Sequence, residues 1–329
     1  MSMDVTFLGT GSAYPSPCRG ASAVVFRTEG ECWLFDCGEG TQTQFMRSPL
    51  KAGRITKIFI THLHGDHMFG LPGFLCTVSL QCGCTPSKQL VDIYGPVGLR
   101  EFVQRSLEIS HSQLVFPYVV HELVPSPDGS YELIADEQFT VKAFKLFHRI
   151  PSFGFVIEER ERPGKLNMQK LKELGIQPGP VCGKLKLGAT ITLDNGQKVS
   201  PSDVLGDPIP GRKVCILGDC SGVIAVGGAK LCCDADVLIH EATLDDSQMD
   251  KAKEHGHSTP KMAADFANLC CARKLVLTHF SQRYKPPGLV TEGDEDVTVL
   301  KQQAESALPG QHVTLAEDFM TITIPMKKQ

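Results

Sequence analysis

A chain of 329 residues, 42 % of them hydrophobic, is long enough to bury a sizeable core, and it suits one large α/β domain or two small ones. No stretch reaches the ~18 apolar residues of a membrane span, and the start MSMDVTFLGTG has no basic segment followed by an apolar core, so a soluble, non-secreted protein is expected. The net charge of −4 excludes the overall basic balance usual for nucleic-acid-binding domains, so any contact with RNA has to rest on local charge.

Thirteen cysteines is a high and odd number. Without a secretory signal they read as buried free thiols of a reducing compartment, with the split between cytosol and nucleus left open, and not as a disulfide framework. Cys82 and Cys84 could begin a zinc site, but no second CxxC or CxxH pair accompanies them.

Along the chain, Val5 to Leu8 predicts a short strand, followed by the Gly/Pro/Ser loop GTGSAYPSP. Ala23 to Phe26 and Cys32 to Phe35 predict a hairpin around Glu29-Gly30. Asp36 ends that hairpin inside DCGEGTQTQ, and two roles fit it that can hold at once. It is placed to hydrogen-bond a metal-ligating histidine from behind, or to cap a helix from Thr41 to Met46.

The apolar run Ile58, Phe59, Ile60 stops at Thr61, and His62, His64, Asp66 and His67 follow within six residues. Side chains alternate along an extended segment, so His62 and His64 can grip one ion, while Asp66 and His67, past Gly65, face a second. Imidazole with carboxylate suits zinc, iron or manganese, and the lack of a local thiolate cluster points to a catalytic site with an open position. Surface or core histidines do not usually come three at a time with an aspartate at one strand end.

Met68 to Leu80 predicts a partly helical segment despite Pro72, Leu90 to Tyr94 a strand, and Val97 to Ile109 a helix with Leu99, Phe102, Val103 and Leu107 at helical spacing. Val119 to Val124, Tyr131 to Ile134 and Phe139 to Phe147 predict strands, with a turn at Asp128-Gly129. The last delivers His148 ahead of RIPSFGF, placed as His62 is. From Arg160 to Gly188, seven basic residues (Arg160, Arg162, Lys165, Lys170, Lys172, Lys184, Lys186) face two acidic ones (Glu161, Glu173), a local +5. Its central PGPVCG is expected to be irregular. The segment reads either as a solvated surface hairpin or as the local positive charge that RNA would need.

Strand Lys213 to Leu217 ends in GDCS, where Asp219 can offer one oxygen to each of two ions and Gly218 lets the backbone approach. Strand Val237 to His240 ends in HEAT, which singles out Glu241, with His240 packing at the strand end. EHGHSTP introduces a helix from Thr259 to Leu269, with Ser258 or Thr259 at its N-cap and Pro260 in its first turn. Lys274 to Thr278 predicts a strand ending in THFS and offering His279. A helix from Asp296 to Ala307 and strands near Val313 to Leu315 and Phe319 to Ile324 complete the chain, which shows no repeat at a fixed period. Strands that end in ligands in both halves suit two sheets packed face to face with helices outside.

T-H-x-H-x-D-H after an apolar strand resembles the signature of the metallo-β-lactamase superfamily. THLHGDHMFGLPG, with the opening FLGTGSA, the H-x-x-P-S-x-G-F stretch at His148 and the HEAT and HST strings, resembles ribonuclease Z, the tRNA 3′-processing endonucleases, from Phe7 to Ser281. The resemblance implies an α/β fold, an αββα sandwich of two mixed sheets with outer helices, in a single domain over 1–329. Residues 160–188 would be an inserted flexible arm that holds tRNA, with contacts from Arg160, Arg162, Lys165, Lys184 and Lys186. It implies two zinc ions per chain, the first on His62, His64 and His148, the second on Asp66, His67 and His279, with Asp219 bridging. The activity implied is removal of the 3′ trailer from precursor tRNA, leaving a 3′ hydroxyl on the tRNA and a 5′ phosphate on the trailer. A homodimer is implied too, the arm of one subunit serving the site of the other. Asp66 is expected to orient the attacking water and accept its proton, and His257, oriented by Glu241, to protonate the departing oxygen, with His255 as competitor. The alternative for the same site is hydrolysis of small thioesters or phosphodiesters, which has no need of a basic arm.

Overall fold

Strand Lys213–Leu217 is apolar from Val214 onward because both its faces are covered: Val214 and Ile216 enter one hydrophobic cluster, Cys215 and Leu217 another. That period of two, repeated along neighbouring strands, builds the molecule. The computed structural model describes residues 2–82, 89–125, 131–223 and 226–327. In it, two seven-stranded sheets face one another.

The first sheet runs, in spatial order, Thr321–Thr323, Met3–Gly9, Ala23–Thr28, Cys32–Phe35, Ile55–Phe59, Val91–Gly95 and Tyr118–Glu122. The second runs Thr314–Leu315, Leu275–Thr278, Val237–Glu241, Lys213–Leu217, Ser152–Glu159, Phe139–Leu146 and Tyr131–Ala135. Phe26, Phe35 and Phe59 of the first meet Phe155, Ile157 and Ile239 of the second in the inner core. Helices Thr41–Arg47, Leu71–Gln81 and Leu99–Ile109 cover the outer face of the first sheet, the last through a buried stripe of Leu99, Val103 and Leu107. Helices Pro260–Leu269 and Thr298–Ala307 cover the second with Ala263, Ala264, Ala267, Leu300 and Ala304. Both sheets are mixed, and each holds a parallel block: Cys32–Phe35 to Tyr118–Glu122 in one, Lys213–Leu217 to Thr314–Leu315 in the other.

Parallel neighbours end on the same edge of a sheet, so the turns after Phe59, Leu217, Glu241 and Thr278 open on one side of the molecule. The two edges touch there. Phe153 donates its N–H to the Thr61 carbonyl at 3.0 Å, and a Cβ on Gly218 would stand 2.5 Å from the Thr61 Cβ. Only glycine fits that crossing.

Several expectations change. The helix after Asp36 is capped by Gly40 in the left-handed region and not by Asp36. Thr259 holds the N-cap position of Pro260–Leu269 without a side-chain cap bond, and the Ser258 hydroxyl donates to the Cys220 carbonyl instead. Strand Ser152–Glu159 was not anticipated from RIPSFGF, yet it pairs with both neighbours along its length.

PGPVCG is not irregular: Pro180 opens a helix, Pro180–Lys186, because a proline in the first turn lacks only an N–H that the turn does not use. The basic segment is in fact a small folded unit that runs past residue 188. Leu171, Ile176, Leu185, Val199 and Val204 form its own core, from helices Met168–Glu173, Pro180–Lys186 and Pro201–Val204 and the hairpin of Ile191–Thr192 with Lys198–Val199. At its root, Arg212 grips Glu159 with two bonds of 2.8 and 2.7 Å, both side chains buried. The twelve cysteines among the described residues are free thiols, and Cys233 and Cys271 are exposed, not buried, because each follows a buried cysteine at the end of a helix. Cys84 and the Asp128-Gly129 turn lie outside the described residues.

Candidate metal centre

Donors anticipated from turns far apart in sequence arrive at one place. His62, His64, His148 and Asp219 form one group, and Asp66, His67, His279 and Asp219 a second, in each of which the ligand atoms lie within 4.8 Å of one another. In the first, His64 Nδ1 is 3.1 Å from both His62 Nε2 and His148 Nε2, and Asp219 Oδ2 is 3.6 Å from His62 Nε2. In the second, Asp219 Oδ1 is 3.3 Å from both His67 Nε2 and His279 Nε2, which are 3.2 Å apart, and Asp66 Oδ2 is 3.3 Å from His279 Nε2. Atoms bound to one zinc at about 2.0–2.2 Å lie roughly 3.0–3.5 Å apart, so the donor set fits that ion. Asp219 turns one oxygen to each group.

The atoms behind the ligands fix which nitrogen points inward. Asp36 Oδ2 accepts from His67 Nδ1 at 2.7 Å and from the Thr61 hydroxyl at 2.9 Å, and Thr61 Oγ1 lies 3.0 Å from His62 Nδ1. The role expected of Asp36 behind a ligand histidine is therefore the one its geometry has. His148 Nδ1 donates to the Gly256 carbonyl at 2.7 Å, and His279 Nδ1 lies 2.9 Å from Thr243 Oγ1. In each, Nε2 is left facing the centre. Asp36 (φ 58°), Ala13 (φ 67°) and His279 (φ 59°) adopt the left-handed region that non-glycine residues avoid, and Ala13 thereby aims its N–H at Asp66 Oδ2, 2.7 Å away.

Beside the ligands, His257 Nδ1 lies 3.0 Å from Glu241 Oε1 and 3.6 Å from Asp219 Oδ2. Burial works against the imidazolium of His257, but Glu241 raises its pKa to about 9. His67 follows the same rule more strongly, since Asp219, Asp36 and Asp66 outweigh its burial and lift it well above the usual histidine range. His62, with one carboxylate at a distance, is pushed well down by burial. Asp219 stays ionised despite complete burial because His279, His67 and His62 face it. His255, the competing donor, is exposed at the end of helix Met249–His255 and lines the cleft without touching Glu241. His240 packs as expected, buried with Nδ1 on the Glu241 carbonyl at 2.8 Å.

The centre lies in a cleft of about 610 Å³ whose rim carries Arg149, Lys251 and Arg283. These three, with Thr243 and Ala13, escaped sequence reasoning. Lone cations in turns (Arg149, Arg283) or on a short helix (Lys251) make no pattern, a threonine hydroxyl is common, and an alanine acts here only through its backbone. Of the basic residues expected to touch RNA, Lys165, Lys184 and Lys186 are exposed on the inserted unit. Arg160 and Arg162 sit at its root: Arg160 Nε donates to the Asp136 carbonyl at 3.1 Å, and Arg162 Nη2 to the Lys327 carbonyl at 3.1 Å.

Two sheets with outer helices and a histidine-carboxylate cluster at their joint edge define a metal-dependent hydrolase of the metallo-β-lactamase fold. A Bacillus subtilis metallo-β-lactamase fold protein, YhfI, superposes with a TM-score of 0.65 at 17 % identity, covering 98 % of this chain and all of that one, which shows the fold. A family model described as anti-Pycsar protein Apyc1 matches residues 3–161. The chain is 66 % identical, over the whole length of both, to zinc phosphodiesterase ELAC protein 1 of Homo sapiens, and 41 % identical to the ribonuclease Z of a Nostoc species over 99 % of this chain and 97 % of that one. The crystal structure of human tRNase Z, short form, superposes with a TM-score of 0.72 at 56 % identity, covering 98 % of this chain and 100 % of that one. This chain belongs to the ribonuclease Z family, with the zinc phosphodiesterase ELAC protein 1 sequences as full-length relatives.

Proposed function

We propose that this protein is a zinc-dependent endoribonuclease that removes the 3′ trailer from precursor tRNA, working with two zinc ions per chain and as a homodimer in the reducing cytosol or nucleus. The observation that carries the reading is Asp219, shared between two complete donor groups with the Glu241–His257 pair alongside.

When bound, zinc acidifies a water molecule and draws negative charge off the phosphate. His62, His64 and His148 would hold one ion, Asp66, His67 and His279 the other, and Asp219 both. Asp66, steadied by the Ala13 N–H, orients the attacking water and takes up its proton. His257 keeps its proton because Glu241 lies against Nδ1, and its other nitrogen delivers that proton to the departing 3′ oxygen of the tRNA. Arg149, Lys251 and Arg283 draw the flanking phosphates into the cleft. Lys165, Lys184 and Lys186 on the inserted unit give the tRNA body a second, distant hold, and Arg160 and Arg162 add charge at its root.

Incubation of the purified protein with a trailer-bearing tRNA should give one cut after the discriminator nucleotide, with a 3′ hydroxyl on the tRNA and a 5′ phosphate on the trailer. An enzyme that left this RNA intact while turning over a small thioester or phosphodiester would make the second reading, a small-molecule hydrolase, the right one.

A further inference from the structure

The cleft has two walls of different origin. One comes from the first sheet and includes Ala13, His64, Asp66 and Phe69. The other comes from the second sheet and includes Arg149, Asp219, His257 and Arg283. Phe69 stands out on the first wall. It is a large apolar ring, 62 % exposed, at the mouth of a polar site and three residues from Asp66.

The ring is held in place. Its segment is pinned to the first sheet by Cys37 N–H to the His67 carbonyl (2.7 Å) and Gly70 N–H to the Cys37 carbonyl (2.9 Å). One edge lies so close over Gly65 that a Cβ there would meet it at 2.3 Å, and Phe102 backs it at 6.4 Å between ring centres. An exposed aromatic ring fixed beside a phosphodiester site is what a base needs in order to stack, and stacking holds a nucleotide without reading which base it carries.

Resting on the function proposed above, the geometry points to Phe69 as the stacking platform for a nucleobase of the substrate, namely that of the nucleotide immediately 3′ of the cleaved bond. The departing 3′ oxygen belongs to the 5′ nucleotide and has to reach His257, which puts that nucleoside on the second wall. The nucleoside on the other side of the phosphorus leaves toward the first wall, where Phe69 lies. The enzyme therefore grips the first trailer base by its face.

The test is a cycle of protein and substrate changes. One substrate is a trailer-bearing tRNA, and its partner carries an abasic ribonucleotide at the first trailer position. Phe69→Leu should lower kcat/KM on the intact substrate by roughly 5- to 150-fold. Removing the base should cost the wild-type enzyme a similar factor, and the two losses should not add. Phe69→Tyr and Phe69→Trp should restore most of the loss. With the abasic position moved to the discriminator nucleotide, the Phe69→Leu penalty should persist in full. Additive losses, or non-additivity only at the discriminator, would overturn the assignment. So would a Phe69→Leu protein whose mass in solution differs from wild type, because the ring would then serve a contact between subunits. If the substitution prevents folding, the abasic substrate with wild-type enzyme still decides, since an unchanged kcat/KM removes the platform. Failure of the wild type to cut the intact RNA at all would instead sink the function on which the inference rests.

Discussion

The Thr243 hydroxyl touches Glu241, His279 and His257 at once, with Oγ1 donating to Glu241 Oε2 and lying 2.9 Å from His279 Nδ1 and 3.4 Å from His257 Nδ1. Its single proton goes to the carboxylate, so its lone pair is left for the His279 N–H, and one atom touches both the Glu241–His257 pair and a candidate metal donor. Thr243→Val keeps the shape and removes the atom; zinc affinity, followed by competition with a chelator, should fall about 10- to 100-fold, and Thr243→Ser should recover it. His257→Ala should keep its metal content yet lose about 10²- to 10⁴-fold in cleavage rate, while His255→Ala stays close to wild type. His257 is raised to about 9, so the proton it would deliver in the proposed reaction is present at neutral pH and is lost as pH rises through that value. The rate should therefore decline on the alkaline side, and bound cations, which repel the same proton, should move that limb below pH 9. A rate still rising through pH 9 would assign the limb to another group. The candidate donors were legible because imidazoles and carboxylates at strand ends are rare by chance. Thr243 and Ala13 were not, because what they do depends on where a neighbouring turn brings its atoms.

The inserted unit shows where local pattern misleads. Two prolines and two glycines in PGPVCG read as a break, yet Pro180 sits where a helix tolerates it, and the apolar residues that hold the unit together extend to Val199 and Val204, outside the charge run. A deletion of 160–188 would strip those residues of their core. The better variant replaces 166–205 with a short glycine turn, because the Lys165 carbonyl already accepts from the Gly206 N–H at 2.9 Å. It should retain hydrolysis of a small phosphodiester and lose tRNA cleavage; equal loss of both would make the unit a scaffold. At its root, Glu159→Ala takes the carboxylate away from the buried Arg212 guanidinium and should cost about 3–5 kcal/mol. Asp265→Ala breaks only the exposed pair with Lys261 and should cost under about 0.5 kcal/mol, both read from denaturant unfolding. Strand Ser152–Glu159 escaped notice for the opposite reason: both faces are covered, so it carries no alternation.

At the scale of the whole molecule, strands ending in ligands announced two facing sheets, but the order of strands within each sheet was not readable. A period of two says which face a side chain takes and nothing about which strand lies beside it. The inner core is aromatic: Phe35, Phe59 and Phe155 meet with ring centres 4.6 to 5.7 Å apart. Phe155→Ala opens a cavity among them and should cost about 3–5 kcal/mol. Because the ligand groups draw on both sheets, zinc should clamp the sandwich as well as serve the chemistry. Metal analysis should find close to two zinc ions per chain, and chelation should lower Tm along with activity. Mass measurement in solution should give a dimer.

The seven donors stretch from His62 to His279, so no early fragment of this chain possesses the centre. A ribosome must deliver both sheets before the last imidazole can meet the first. A molecule interrupted anywhere before residue 279 lacks a donor of the second group and should not cut RNA. The cell is spared a half-made nuclease.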